Sequence, residues 1–255
     1  MAGRVLRVDL NSDLGESFGV WPLGQDAEMM AWVTSANVAC GFHAGDPVVM
    51  RRTVRLAREK GVVVGAHPGY PDLGGFGRRA MALTRDEIIN GLLYQIGALG
   101  AVARAEGIRV SYVKAHGALY NQAERDPAVA AAVVEAVRLA GVAVVVAASG
   151  SAVAEAAAAG GVRLVAEVFA DRAYDDEGRL VPRSLPGSLI TDPQAVAERV
   201  VGLVCRGEVA TVGGRRLLLD AGTVCLHGDT PGAPILARVV REALVSAGVR
   251  VVAFA

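Results

Sequence analysis

The chain has four histidines, and each closes an apolar run and opens a Gly- and Ala-rich loop. The motifs read Cys40-Gly41-Phe42-His43-Ala44-Gly45-Asp46, Gly65-Ala66-His67-Pro68-Gly69-Tyr70, Lys114-Ala115-His116-Gly117-Ala118-Leu119-Tyr120-Asn121 and Cys225-Leu226-His227-Gly228-Asp229. Imidazole is the side chain that changes charge nearest neutrality, so it can move protons or ligate a divalent metal. Carboxylates stand in matching places: Asp13 and Glu16 in Asn11-Ser12-Asp13-Leu14-Gly15-Glu16, then Asp72, Glu167 and Asp171. Lys114 stands apart. It is one of only two lysines among 26 basic residues, Lys60 being the other, and it lies inside an apolar run. A compact ammonium there suits developing negative charge, a carboxylate or a phosphate.

Some chemistries have no residues to carry them. The sequence contains no Gly-x-x-x-x-Gly-Lys-Ser/Thr phosphate loop and no Gly-x-Ser-x-Gly elbow after a strand. Cys40 has no activating neighbours. What remains is an Asp/Glu/His/Lys site, suited to activating water at a carbonyl with or without a metal. Asp13, His43 and His67, from three separate loops, would make an Asp-His-His site for Zn²⁺ or another divalent ion in a deacetylase-type hydrolase acting on an amide or carbohydrate. Simpler roles stay open: His43 or His116 as a buried histidine bonded to a loop carbonyl, Asp9 as a strand residue bonding the backbone, and the cysteines as small buried hydrophobes. Arg78-Arg79, after Gly74-Gly75-Phe76-Gly77, reads as an anion clamp or as a solvated turn.

These residues need elements to hold them. Apolar runs at Val5–Leu10, Ala36–Cys40, Val62–Ala66, Val110–Lys114, Val142–Ala147, Arg163–Phe169, Gly222–Leu226 and Val249–Phe254 predict strands covered on both faces. Helices are expected over 26–34, 47–60, 84–106, 127–140, 150–159, 192–206 and 231–247. Asp46-Pro47, Asp126-Pro127, Asp192-Pro193 and Thr230-Pro231 each put a capping side chain before a proline, and Thr84-x-x-Glu87 is a capping box. Glu208–Leu219 looks like an extra strand pair. The alternation predicts a single domain over 1–255, a distorted (β/α) barrel of seven or eight parallel strands in preference to a doubly wound sheet. In such folds the site lies at the carboxyl ends of the strands. There the loops would gather Asp13 and Glu16, His43, His67 with Tyr70 and Asp72, Lys114 with His116, Tyr120 and Asn121, Glu167 with Asp171, Arg172 and Tyr174, and His227 with Asp229.

Composition sets the outer limits. With 53% hydrophobic and 20% charged residues, a large core can form and disorder is not expected. The formal net charge of zero argues against nucleic acid or an acidic membrane surface as partner. Uncharged runs such as Leu139–Ala154 stop short of the roughly 20 residues a membrane span needs, and the N-terminus has no signal-peptide core. Three cysteines without a CxxC pair fit a reduced, cytoplasmic protein.

Taken together, the blocks from Asn11–Glu16 through Ala36–Asp46, His67–Asp72, Val113–Asn121, Glu167–Tyr174 and Leu226–Asp229 resemble the signature of the LamB/YcsF family in family order. The resemblance implies a barrel similar to the glycoside hydrolase/deacetylase group. It also implies the A subunit of an ATP-dependent 5-oxoprolinase, opening 5-oxo-L-proline to L-glutamate together with subunits B and C. On residue chemistry, Asp13 or His67 would be the base that activates water, and Lys114 with His116 would neutralise an oxyanion or phosphate. Arg172 or Arg78 would hold the substrate carboxylate, and Glu16, Asn121 and His227 would contact substrate. Replacing Lys114 by Met is expected to spare the fold.

Overall fold

A computed structural model describes residues 6–228 and 232–255. In chain order its elements are β1 (Arg7–Leu14), α1 (Asp26–Met29), β2 (Ser35–Ala39), α2 (Pro47–Lys60), β3 (Val63–His67), α3 (Arg85–Ala105), β4 (Val110–Val113), α4 (Gly117–Ala123), α5 (Pro127–Leu139), β5 (Val144–Ala147), α6 (Ala152–Gly160), β6 (Arg163–Phe169), α7 (Pro193–Arg206), β7 (Glu208–Ala210), β8 (Arg216–Leu218), β9 (Thr223–His227), α8 (Ala233–Ser246) and β10 (Arg250–Val251).

Seven of these strands close a parallel barrel in the order β1-β2-β3-β4-β5-β6-β9, β9 pairing back onto β1. The eighth expected strand does not join that ring. Among the described residues, β10 pairs only with the first residues of β1, Arg7 and Val8. The tail then turns under the barrel, where the Phe254 ring packs 5.0 Å from Tyr112 and its carbonyl accepts from Arg163 at 2.8 Å. The segment 208–219 is an antiparallel hairpin, β7–β8, outside the barrel sheet.

Local chemistry starts the helices. Asp46, Asp126 and Asp192 each accept from the amides two and three residues on, ahead of a proline in the first turn. Thr84 and Glu87 complete their capping box. The expected Thr230-Pro231 cap, and with it Asp229, lies outside the described residues. The expected helix over 26–34 is a single turn, and α4, not expected, begins directly after His116.

Both faces of the strands were expected to be apolar; only the outer face is. Val8, Leu10, Leu14, Ala36, Val38, Val64, Val168, Val224 and Leu226 pack outward in the core beneath the helices. The inner face alternates with them and is largely polar: Asp9, Asn11 and Asp13 from β1, Ser35 and Asn37 from β2, Glu167 from β6 and Thr223 from β9, joined by hydrogen bonds. A smaller apolar plug of Tyr112, Val144, Val146 and Val165, with Phe254 against it, fills the amino-terminal part of the interior.

Gly65 makes room for that plug, because a methyl built on it would overlap the Tyr112 ring. Gly65→Ala should therefore cost about 1–3 kcal/mol through overpacking. Gly97→Ala, on the exposed face of α3 with open space where its Cβ would stand, should stabilise by up to about 1 kcal/mol. Urea unfolding of the two variants beside the parent protein checks both signs.

Candidate active site

The site is built on the polar interior. Asp9 sits deepest, accepting from the hydroxyls of Thr34 and Ser35 at 2.6 Å each and of Thr223 at 2.5 Å. Burial raises its pKa despite those donors. Its partners are thus side-chain hydroxyls, where backbone partners had been expected. One rung higher, Asn11 donates to Thr223 at 2.7 Å and to Glu167 at 3.1 Å. Asn37, fixed by the Tyr112 hydroxyl at 2.6 Å, donates to both Asn11 and Asp13.

Lys114 crowns this column. Its ammonium lies 2.8 Å from Glu167 Oε1, 3.1 Å from Asp13 Oδ1, 3.3 Å from Asn11 Oδ1 and 3.0 Å from Cys225 Sγ. Burial alone would depress its pKa, but Asp13, Cys225 and Glu167 outweigh it and hold the amine charged, well above its ordinary value. Burial likewise works to raise Asp13, yet His67 and Lys114 hold that carboxyl well below the usual range. Cys225 therefore touches the site instead of merely filling core. The Cys40 thiol is pushed up to about 12 by burial, in keeping with an inert residue.

Three histidines pack beside Asp13. His67, at the end of β3, bonds the Lys114 carbonyl through Nδ1 at 2.8 Å and turns Nε2 toward Asp13 Oδ1 at 3.4 Å. His116 Nε2 bonds the Phe76 carbonyl at 2.8 Å, and its Nδ1 lies 3.0 Å from His67 Nε2. Burial and His67 push the pKa of His116 down to about 3. His43 stacks on His116 at 3.7 Å, and burial with His116 and His67 holds it neutral. Phe76 takes the left-handed conformation, φ 55°, rare for a bulky residue, and this bend aims its carbonyl at His116. Gly77 follows at φ +63°, where a Cβ would meet His43 Cβ at 2.7 Å. The loop can lie over the histidines only with glycine there.

On the far wall, His227 Nδ1 lies 2.9 and 3.1 Å from the two oxygens of Asp171. A carboxylate accepts, so Nδ1 carries the hydrogen and Nε2 is left as an acceptor. Burial would raise Asp171, but His227 holds it below its ordinary value.

Asp13, Glu16, His67, Arg78, Lys114, His116, Asn121, Arg172 and His227 all line one cavity of about 370 Å³ at the carboxyl ends of the barrel strands. His43 lies behind that wall, fully buried. Arg78 reaches the cavity over the Phe76 ring, whereas Arg79 is tied to Asp72. Asp72 caps the turn at Leu73–Gly75, Tyr70 bonds Gln122 and Tyr174 accepts from the Phe169 amide, so these three brace the rim rather than line it. Glu167 belongs to the barrel interior, not to the loop after β6. Sequence reasoning missed Asn11, Asn37, Thr223 and Tyr112. For Asn11 and Asn37 the signal was a polar residue at every second position of 9, 11 and 13 and of 35 and 37; Thr223 and Tyr112 had no such signal. It also missed Arg125 and Arg183, which join the arginines of the cavity.

Two groups of ligand atoms lie within 4.8 Å of one another and could hold a metal, one from Glu16, His43, His67 and His116 and the other from Asp13, Cys225 and His227. The expected Asp13-His43-His67 set is arranged differently. His67 stands beside Asp13, while His43 Nε2 faces Glu16 at 3.5 Å.

A family model described as the LamB/YcsF family matches residues 8–255. A Syntrophobacter fumaroxidans protein, named as the A subunit of 5-oxoprolinase, is 53% identical over 97% of this chain and 98% of its own length. A Mycobacterium avium protein of the same name is 54% identical, again over 97% and 98%. Among solved structures, a lactam utilization protein from Thermus thermophilus superposes with a TM-score of 0.93 at 49% identity, covering 98% of this chain and 100% of the other.

The charge balance around Lys114 overturns the expectation that Lys114→Met spares the fold. Removing the cation leaves Asp13 and Glu167 buried without it, a change that typically costs about 3–5 kcal/mol. Asp13's depressed pKa contributes stability above the unfolded carboxylate value and loses it as pH falls through the native one. The deficit of Lys114→Met should therefore be full at neutral pH and shrink below about pH 4. Lys114→Met/Glu167→Gln should recover part of it, and exposed Lys60→Met should show none. Chemical denaturation across pH 3 to 8 measures all three.

Proposed function

The chain belongs to the LamB/YcsF family, and from that premise we propose that it is the A subunit of an ATP-dependent 5-oxoprolinase, opening 5-oxo-L-proline to L-glutamate with subunits B and C. The observation that carries the reading is one cavity lined by a buried ammonium, Lys114, and by His227, whose Nδ1 is held by Asp171. The relatives that carry the 5-oxoprolinase name and the lactam utilization protein support the same substrate class.

The chemistry explains why ATP is needed. A five-membered lactam is a stabilised amide, and its opening reverses easily because the amine stays tethered beside the new carboxyl. Phosphorylating the lactam oxygen removes that obstacle. This chain has no phosphate loop in its sequence, so phosphorylation falls to the partners and the activated lactam comes to this cavity. Water adds to the activated carbon, the C–N bond breaks with a proton delivered to nitrogen, and a second water releases phosphate from the acyl phosphate left behind.

His227 Nε2, oriented by Asp171, takes the proton from water and returns one to the leaving nitrogen. Asp13 is too weak a base for that step, because His67 and Lys114 hold its carboxyl so low. It positions the ammonium instead. Lys114 neutralises the oxygen that becomes negative. His116 gives its Nε2 hydrogen to the Phe76 carbonyl and turns Nδ1 toward His67, so the oxyanion role assigned to it passes to Lys114 alone. Arg78 and Arg172, with Arg125 and Arg183 nearby, hold carboxylate and phosphate, and Glu16 and Asn121 complete the wall. ATP as co-substrate and free Cys40, Cys205 and Cys225 fit a cytoplasmic assembly.

Reconstitution tests this. The purified chain alone should show negligible ATP-dependent 5-oxoproline hydrolysis, and adding subunits B and C should restore it. His227→Asn in the restored complex should lower kcat by about 10²–10⁴. Full ATP-coupled turnover by the chain alone would overturn the division of labour. Turnover of amide or carbohydrate substrates without ATP would favour the stand-alone hydrolase.

A further inference from the structure

With every imidazole neutral, the histidine cluster is one cation short, and the Asp13 carboxylate 3.4 Å from His67 Nε2 adds a negative charge beside it. His67 Nδ1 and His116 Nε2 each lie 2.8 Å from a backbone carbonyl, of Lys114 and of Phe76. A carbonyl only accepts, so both of those nitrogens carry hydrogens. In neutral imidazoles the remaining nitrogens, His67 Nε2 and His116 Nδ1, then present lone pairs, and they face each other at 3.0 Å. Two lone pairs at that distance repel unless a cation is shared between them. The neighbourhood repeats the pattern. His43 is fully buried, and neither of its ring nitrogens makes a hydrogen bond. Glu16 Oε1 lies 3.5 Å from His43 Nε2 and 3.7 Å from His116 Nδ1.

We propose that Glu16, His43, His67 and His116 form a binding site for one divalent transition metal of the zinc class. Three imidazoles and one carboxylate are the donor set that Zn²⁺ and its first-row neighbours prefer. The carbonyls of Lys114 and Phe76 play the part that outer-sphere acceptors play at metal histidines: they fix the tautomer and aim the free lone pair inward. Gly69 and Gly77 let the covering loop close on this group, since a Cβ at Gly69 would stand 3.0 Å from His43 Nδ1. His43 supplies its nitrogen by tilting off its stack on His116. Asp13 is left out because Asn37 and Lys114 already engage it. Glu16, His67 and His116 also line the cavity, so the ion would stand at its wall. The site does not depend on what the substrate is.

Metal analysis of the full chain tests the site without partners, ATP or turnover. Protein stripped with chelator, equilibrated with Zn²⁺ or Co²⁺ and desalted should retain about one ion per chain. Its melting temperature should rise, and the Co²⁺ form should show visible absorption of a low-coordinate nitrogen and oxygen site. His67→Ala, His116→Ala and the near-isosteric Glu16→Gln should each weaken binding at least tenfold, in line with loss of a ligand, while Lys60→Met binds as the parent does. Circular dichroism confirms that each variant is folded, and Glu16→Gln decides if the alanine variants are not. Failure of the parent protein to retain or respond to Zn²⁺, Co²⁺, Mn²⁺ or Ni²⁺ would overturn the proposal, leaving a shared proton between His67 and His116. Binding that survives Glu16→Gln and His67→Ala would overturn it equally.

Discussion

A single buried ammonium governs the arrangement of this barrel. Lys114 cannot stay charged in the interior without compensation, and Asp13 and Glu167 provide it from opposite sides. Those carboxylates in turn need donors, which come from Asn11 and Asn37. Asn11 is held by Thr223 and Asn37 by Tyr112. The polar column running down to Asp9 is therefore one connected system in which removing any member leaves another unsatisfied. Its existence explains why the inner face of the barrel is not filled with the branched aliphatic residues usual in eight-stranded (β/α) barrels. Apolar filling is limited to the plug of Tyr112, Val144, Val146 and Val165 and to Phe169 beside the Lys114 ammonium.

Electrostatic environment also divides the labour among residues of the same type. Asp13 and Asp171 are both carboxylates, yet one is pinned beside a lysine and the other holds an imidazole. The four histidines differ as sharply. His67 and His116 spend one nitrogen each on a backbone carbonyl, His43 makes no hydrogen bond, and His227 lines the cavity with Nδ1 held by Asp171. Tautomer, set by fixed acceptors, decides which of them can transfer a proton and which can only donate a lone pair.

Much of this was legible in the chain. The helices bounded by Asp-Pro caps and by the Thr84 capping box lie within a residue or two of their expected limits, because capping is a local contest between one side chain and three or four amides. Runs of β-branched residues marked the barrel strands for a similarly local reason. The loops carrying His43, His67, His116 and His227 were expected at strand ends, and the residues of the LamB/YcsF signature stood in order along nearly the whole length. Local chemistry did not reveal α4: Gly117 opens it at φ +55°, where a side chain would strike the Gly77 carbonyl at 2.6 Å, a contact between segments 40 residues apart in number.

What the sequence by itself determined is most of the elements, their alternation and the residue types delivered to one rim. Only the tertiary structure decided what those residues are to one another. His227 meets Asp171 across 56 positions and Lys114 meets Asp13 across 101. Neither pairing has a local signature, since each depends on which strands become neighbours and in what register. A barrel of seven strands rather than eight is likewise a matter of closure, settled when β9 pairs with both β6 and β1 and leaves β10 to the margin. Ionisation states follow last of all, because a pKa is set by burial and by the charges within a few ångströms, and those distances do not exist until the chain has closed on itself.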